Sequence, residues 1–477
     1  MRKLLGVILF CLAAFPAFAE VSLPRILSDN MVLQQKDKVH LWGNAAPGRT
    51  ISVRASWDST EYRTKSGQDG SWDILINTPA ATAEPQSITI SDGTPLTLNN
   101  ILIGEVWLCS GQSNMYMPVG GFSDQPVEGG LQAILDAPAQ KLIRIANVKR
   151  EESASPMDDC TVSWSCCSPE TVQVTSAVAY FFADQLSRSL EGIPVGIICT
   201  SYGGTPIQYW MPEQVFRRIV PADIAAARFP KREKKPNLVG GLYNAMIFPL
   251  TQFRVRGFLW YQGESNVAQN DWYNALLDGM ARSWRDVWKN DSLPFYVVQI
   301  APFSGKGSTR TERVKLIEAQ IKTMETTPGV YVIPTTDLGE ENCIHPAKKR
   351  EVGMRAAASA LNHTYGMTGI PCEAPSLKEC QFVEGKAILT FDGLYGRGLS
   401  PWHGEVKGFE IAGKNRMFYK AIATVLPSKG QVEVHSPMVS EPVAVRYAYH
   451  NWTEANLKNG FGLPAWPFRT DDWDDVR

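Results

Sequence analysis

The sequence predicts an α/β protein in which a parallel sheet, covered by helices on both faces, lies between two small β-sandwiches. Three observations carry that expectation. Between residues 101 and 368, apolar runs of strand length alternate with helical stretches, and strands joined through helices pair in parallel. From 20 to 100 and again from 369 to 477 the apolar period falls to two, with Gly, Pro and Asp separating short runs. The 477 residues leave room for these units, at about 150 residues per domain.

Residues 1–19 read as a targeting segment. Arg2 and Lys3 precede an apolar run that ends at Phe15, and Ala17 and Ala19 supply the small residues of a cleavage site. Export to the periplasm or the medium is therefore expected, with Glu20 as the first mature residue. The run is too short to span a bilayer, and no later stretch is long and apolar enough to do so. Residues 39–42, 51–54, 72–76 and 87–90 alternate as strands do, with turns at Pro47-Gly48, Asp69-Gly70 and Asp92-Gly93. In the middle region 101–109, 193–199, 255–261, 295–300 and 330–333 read as strands. Helices are expected at 176–190, where Val178, Phe181, Phe182, Leu186 and Leu190 form a stripe, and at 273–288, 313–324 and 348–361. Alternation returns at 387–391, 409–411, 431–434 and 443–447.

Composition narrows the function classes. Lys and Arg number 47 and Asp and Glu 48, a balance that argues against a nucleic-acid partner. The short cluster Lys231, Arg232, Lys234 and Lys235, bounded by Pro230 and Pro236, reads as a solvated loop. Export permits disulfides, with Cys372 and Cys380 as one candidate pair and Cys160 with Cys166 or Cys167 as another. Cys109 and Cys199 sit in apolar runs and read as buried thiols. The chain has six histidines and no zinc-type spacing, so no metal site is expected.

Sites in open parallel sheets form at the carboxyl ends of strands. Loops that follow predicted strands here carry polar or glycine-rich residues at 110–115, 201–205, 262–266 and 335–346. Acyl transfer needs a serine on a tight turn, a base to take its proton, and fixed donors for the developing oxyanion. Ser113 beside Gly111 fits the first role, and His345 fits the second as the middle region's histidine on a post-strand loop. The N–H groups of Ser113 and Gly204 and the amide of Gln262 fit the third. Gly203-Gly204 allows close backbone approach. Glu264 reads as a loop-holding residue, and Tyr202 as a sugar-stacking one. The reaction needs proton transfer and charge stabilisation alone, so no metal or organic cofactor is implied.

The blocks G-Q-S-N-M at 111–115, S-Y-G-G-T at 201–205, W-Y-Q-G-E-S-N at 260–266 and D-L-G-E-E-N-C-I-H-P at 337–346 resemble the sialate O-acetylesterase family, within the SGNH hydrolase group. The likeness covers nearly the whole mature chain, including P-R-I-L-S-D-N-M-V-L-Q at 24–34. It implies a flavodoxin-like three-layer fold, Ser113 as nucleophile, His345 as base, and Ser113, Gly204 and Gln262 as oxyanion donors. It also implies an acetylated carbohydrate as substrate, whether a sialic acid or another sugar such as xylan. A non-catalytic carbohydrate-binding protein on the same scaffold is the alternative from another class. Many SGNH hydrolases place an aspartate two or three residues before the histidine. Here those positions are Cys343 and Asn342. The expected orienter of His345 is therefore a backbone carbonyl, most simply that of Cys343, or else a carboxylate of Asp337, Glu340 or Glu341.

Overall fold

A computed structural model describes residues 20–473, apart from 306, 308, 402, 403 and 427–429. The expected targeting segment lies outside the described residues. The central sheet consists of β1 (Pro95–Gly111), β2 (Ile143–Asn147), β3 (Trp164–Cys166), β4 (Val195–Ser201), β5 (Gly257–Tyr261), β6 (Phe295–Val298) and β7 (Val330–Ile333). Their order is β7-β6-β5-β1-β4-β2-β3. Every pairing is parallel except β2 with β3.

The period of two within the strands assigns the layers. Val106 and Leu108 of β1, Phe258 and Trp260 of β5, and Phe295 and Val297 of β6 enter one apolar core. That core also holds residues of α2 (Asn270–Trp288) and α3 (Glu312–Thr326). The alternate residues Trp107, Cys109, Leu259, Tyr261, Tyr296 and Val298 enter the other core, with α1 (Ala177–Ser189) and α4 (Lys349–His363). Strands buried on both faces read as continuous apolar runs, which is why they were legible. The strand order runs outward in both directions from β1, so a topological switch point lies at its carboxyl end.

The expected boundary at residue 100 falls inside β1. Its first part pairs antiparallel with Thr82–Ser91, and Val32–Gln34 pairs in parallel with Leu102 to Gly104. The N-terminal strands thus continue the central sheet. Toward the C-terminus, Ser376–Val383, Lys386–Asp392, Gln431–His435 and Ile422–Leu426 form one antiparallel sheet. Phe418–Lys420, Phe409–Ala412, Ala444–Tyr447 and Phe468–Arg469 form a second, and residues of both share an apolar core. Cys109 and Cys199 are buried neighbours in the β1–β4 register, and burial pushes the Cys199 thiol up to about 12. The candidate pairings do not form: Cys160, Cys166, Cys167, Cys372 and Cys380 are all free.

Glu105, fully buried where β1 enters the parallel sheet, ties three parts of the chain together. It accepts from Gln35 Nε2 at 2.7 Å, Arg256 Nε at 2.7 Å and the Tyr365 hydroxyl at 2.8 Å. Replacing it with alanine strands an arginine and a phenol without their acceptor. Glu105→Ala is expected to lower stability by about 3 kcal/mol, read as the shift in a denaturant midpoint. A shift under about 0.5 kcal/mol would show that the cluster does not hold the units together.

Candidate active site

The switch point is sterically sealed for glycine. Gly111 ends β1 at φ +143°, and a Cβ there would lie 2.2 Å from the Tyr261 carbonyl oxygen of β5. The chain then turns through Gln112, and Ser113 opens the one-turn helix Ser113–Tyr116. The Gly203-Gly204 loop after β4 passes beside it: a Cβ on Gly203 would stand 3.6 Å from Ser113 Cβ. Gly204 has φ +71°, a conformation natural to glycine. Among the described residues no acceptor takes the backbone N–H of Ser113 or Gly204.

His345 follows β7. Its Nδ1 lies 2.8 Å from Gln125 Oε1, and the Phe122 ring packs edge-on at 5.2 Å. A carboxamide oxygen only accepts, so Nδ1 carries the proton and Nε2 keeps its lone pair, the tautomer a base requires. Ser113, His345, Gly203, Gly204, Arg150 and Glu264 line one cleft of about 500 Å³. Among the described residues there is no His, Cys, Asp and Glu cluster fit for a metal.

Several expectations are corrected. The orienter of His345 is neither a backbone carbonyl nor a carboxylate but the Gln125 amide. Cys343 instead directs its thiol to the His345 carbonyl at 3.3 Å. Asp337 pairs with Arg355 and Lys458, both at 2.7 Å. Burial pushes its carboxyl up, but those two cations outweigh burial and hold it below the usual range. Glu340 accepts from the Ala347 N–H. Gln262 is fully buried and absent from the cleft wall. Its Nε2 faces Asn266 Oδ1 at 2.8 Å, Gln112 Oε1 at 3.1 Å and the Thr205 carbonyl at 3.2 Å, so it braces the loops in this structure. Tyr202, expected to stack on a sugar, is absent from the cleft wall, and its ring lies 5.4 Å from the Arg150 guanidinium.

Lys349, at the start of α4, has no counterpart among the expected residues. It is fully buried, and its Nζ donates to Asn114 Oδ1 at 2.7 Å and to the Pro346 carbonyl at 2.8 Å. Asn114 in turn donates to Glu264 Oε1 at 2.6 Å and the Ile344 carbonyl at 3.0 Å. The residue after Ser113 and both neighbours of His345 thus hang on one ammonium–amide pair. Burial pushes the Lys349 ammonium down to about 7. Burial first, and the Lys349 charge second, hold His345 below its ordinary value.

These contacts set a measurable pH response. Gln125→Glu places a negative charge on Nδ1–H and is expected to move the acidic limb of kcat/KM to higher pH. Lys349→Met removes a positive charge, so the limb should also rise, and kcat should fall about tenfold as the loops loosen. Its folding stability should fall by about 1 kcal/mol or more, because two buried acceptors, Asn114 Oδ1 and the Pro346 carbonyl, lose their donor. Unmoved pH limbs in both variants would detach these residues from His345.

Known proteins resemble this chain over most of its length. A family model described as carbohydrate esterase, sialic acid-specific acetylesterase, matches residues 103–362. The sialate O-acetylesterase of Pongo abelii is 26% identical, over 89% of this chain and 87% of its own length. That of Homo sapiens is also 26% identical over the same shares. The crystal structure of a carbohydrate acetylesterase from Xanthomonas citri is 34% identical, with a TM-score of 0.86, covering 95% of this chain and 100% of that one. The chain belongs to the carbohydrate esterase family of sialic acid-specific acetylesterases.

Proposed function

We propose that the chain is an exported, serine-dependent esterase that removes O-acetyl groups from a carbohydrate. The observation that carries this reading is the meeting of Ser113, His345 and the Gly203-Gly204 loop in one cleft, beside two unoccupied N–H groups. The pattern of residues 1–19 supports export.

The reaction follows from the groups present. Ser113 Oγ attacks the acetyl carbon while His345 Nε2 takes the hydroxyl proton. The carbonyl oxygen becomes an anion and accepts from the N–H groups of Ser113 and Gly204. The bond to the sugar oxygen then breaks, and His345 gives its proton to that oxygen. Water next attacks the acetyl-serine, losing a proton to His345. Collapse frees acetate and returns the proton to Ser113.

The mature protein, beginning at Glu20, is expected to release acetate from acetylated sugars. Ser113→Ala should lower kcat by about 1,000-fold or more with the fold retained. Equal release by wild type and Ser113→Ala would end the reading. The base must be neutral to act, and His345 is held below 6.5, so kcat/KM should rise through a midpoint below that value and stay level toward neutrality. A midpoint above it would contradict the assignment of His345 as base.

A further inference from the structure

Among the described residues, no strand or helix lies between Ile333 and Lys349, so outside contacts must fix the loop that carries His345. A working base has to be held within about 0.5 Å of its productive position. Three alternate residues of the loop are held from outside it. Asp337, whose side chain is 9% exposed, accepts from Lys458 Nζ at 2.7 Å. Gly339 lies so close to the 301–304 segment that a Cβ would stand 2.3 Å from the Pro302 carbonyl oxygen. The Glu341 carbonyl accepts from the Ser304 hydroxyl at 2.6 Å and from the Ser304 N–H at 3.0 Å. Within the loop, Glu340 Oε1 takes the Ala347 N–H at 2.7 Å and closes the chain around His345.

Both supports lead to the C-terminal sheets. Lys458 belongs to that unit directly. The 301–304 segment reaches it through Asn451, which is buried. The Phe303 N–H donates to the Asn451 carbonyl at 2.9 Å, and the Arg313 N–H of α3 donates to Asn451 Oδ1 at 2.8 Å. A separate set of ties from the same unit ends on the helical layer. The Tyr449 hydroxyl donates to Glu318 Oε2 of α3 at 2.8 Å, and Arg469 Nε donates to Glu318 Oε1 at 3.3 Å. The C-terminal unit thus grips the loop of His345 by one set of bonds and a helix by another.

We propose that the C-terminal unit takes part in the reaction by fixing the loop of the base, with Lys458 as a positioning residue. This rests on the esterase reading, in which His345 takes the Ser113 proton. Lys458 does not line the cleft and acts through Asp337. The tether can be cut cleanly. Arg355 donates to Asp337 from Nη1 at 2.7 Å and from Nη2 at 2.8 Å, so loss of the ammonium leaves the carboxylate paired.

The test uses the mature full-length chain. It reads acetate release from an O-acetylated sugar and the rate at which a fluorophosphonate labels Ser113. Labelling needs the same proton transfer to His345 and no contact with a sugar. Lys458→Met is expected to lower kcat about tenfold with KM unchanged, and labelling should slow in step. Lys458→Arg should recover most of both. Ser304→Ala removes one bond from the second support and should lower kcat about threefold; it carries the test if Lys458→Met fails to fold. Tyr449→Phe cuts the tie to α3 and should lower the denaturant midpoint while leaving kcat and labelling as they are. Equal kcat in wild type, Lys458→Met and Ser304→Ala would overturn the positioning role. So would a change in KM alone, or a loss of kcat in Tyr449→Phe as large as in Lys458→Met. A wild type that neither releases acetate nor takes the label at Ser113 would sink the esterase reading and this one with it.

Discussion

A buried ammonium joins the two halves of the site. Lys349 reaches Asn114, next to Ser113, and the carbonyl of Pro346, next to His345. Its placement is costly on its own: burial disfavours the charge, and the first turn of a helix repels a cation. Two oxygen acceptors and the face of Tyr261 at 5.8 Å offset part of that cost. Met at this position would avoid burying a charge, but it would strand both acceptors and hold neither loop. The lysine is therefore better understood through geometry than through stability.

Behind that clamp the loops are stitched by amides. Gln112 Oε1 accepts from Gln262 Nε2 and from the Ser265 N–H at 3.1 Å each. Asn266 Oδ1 takes the Ile207 N–H at 2.8 Å, and its Nδ2 donates to Gln208. From the helical layer, Tyr273 of α2 and Gln320 of α3 both reach the Gln262 carbonyl. The helices thus position the loop through the same residue that braces Ser113. Buried amides satisfied on every side are rigid, and that rigidity holds the loops that carry Ser113 and Gly204 in place.

The parts legible in sequence were those governed by local pattern. The middle strands are buried on both faces and announce themselves as apolar runs. Ser113, Gly204, Glu264 and His345 stand on loops after such strands, and the cleft collects all four. Contacts across distant loops left no such trace. Gln125 sits 220 positions from His345, in a loop whose path no periodicity dictates. Gln262 looked like a donor for an oxyanion because its type suits that role. The internal acceptors that surround its Nε2 left no trace in the sequence. Lys349 left a faint sign, a lysine where a helix N-terminus disfavours one. Residue 100 looked like a boundary because the period changes there. A single strand, β1, spans the change by pairing antiparallel first and parallel afterwards.

The neutral partner of His345 fits the electrostatics of the cleft. An aspartate there would stabilise the imidazolium and raise its pKa. Gln125 fixes the tautomer without either effect, and burial with Lys349 then lowers the pKa. In the proposed reaction a weaker base takes the Ser113 proton less readily, so more of the barrier must be lowered at the oxyanion. Arg150 stands in the cleft wall and Lys349 is buried behind Asn114, while Glu264 in the same wall accepts from Asn114 through one oxygen and has no partner at the other among the described residues. In the proposed reaction these charges oppose one another, which leaves the backbone N–H groups of Ser113 and Gly204 to hold the tetrahedral anion.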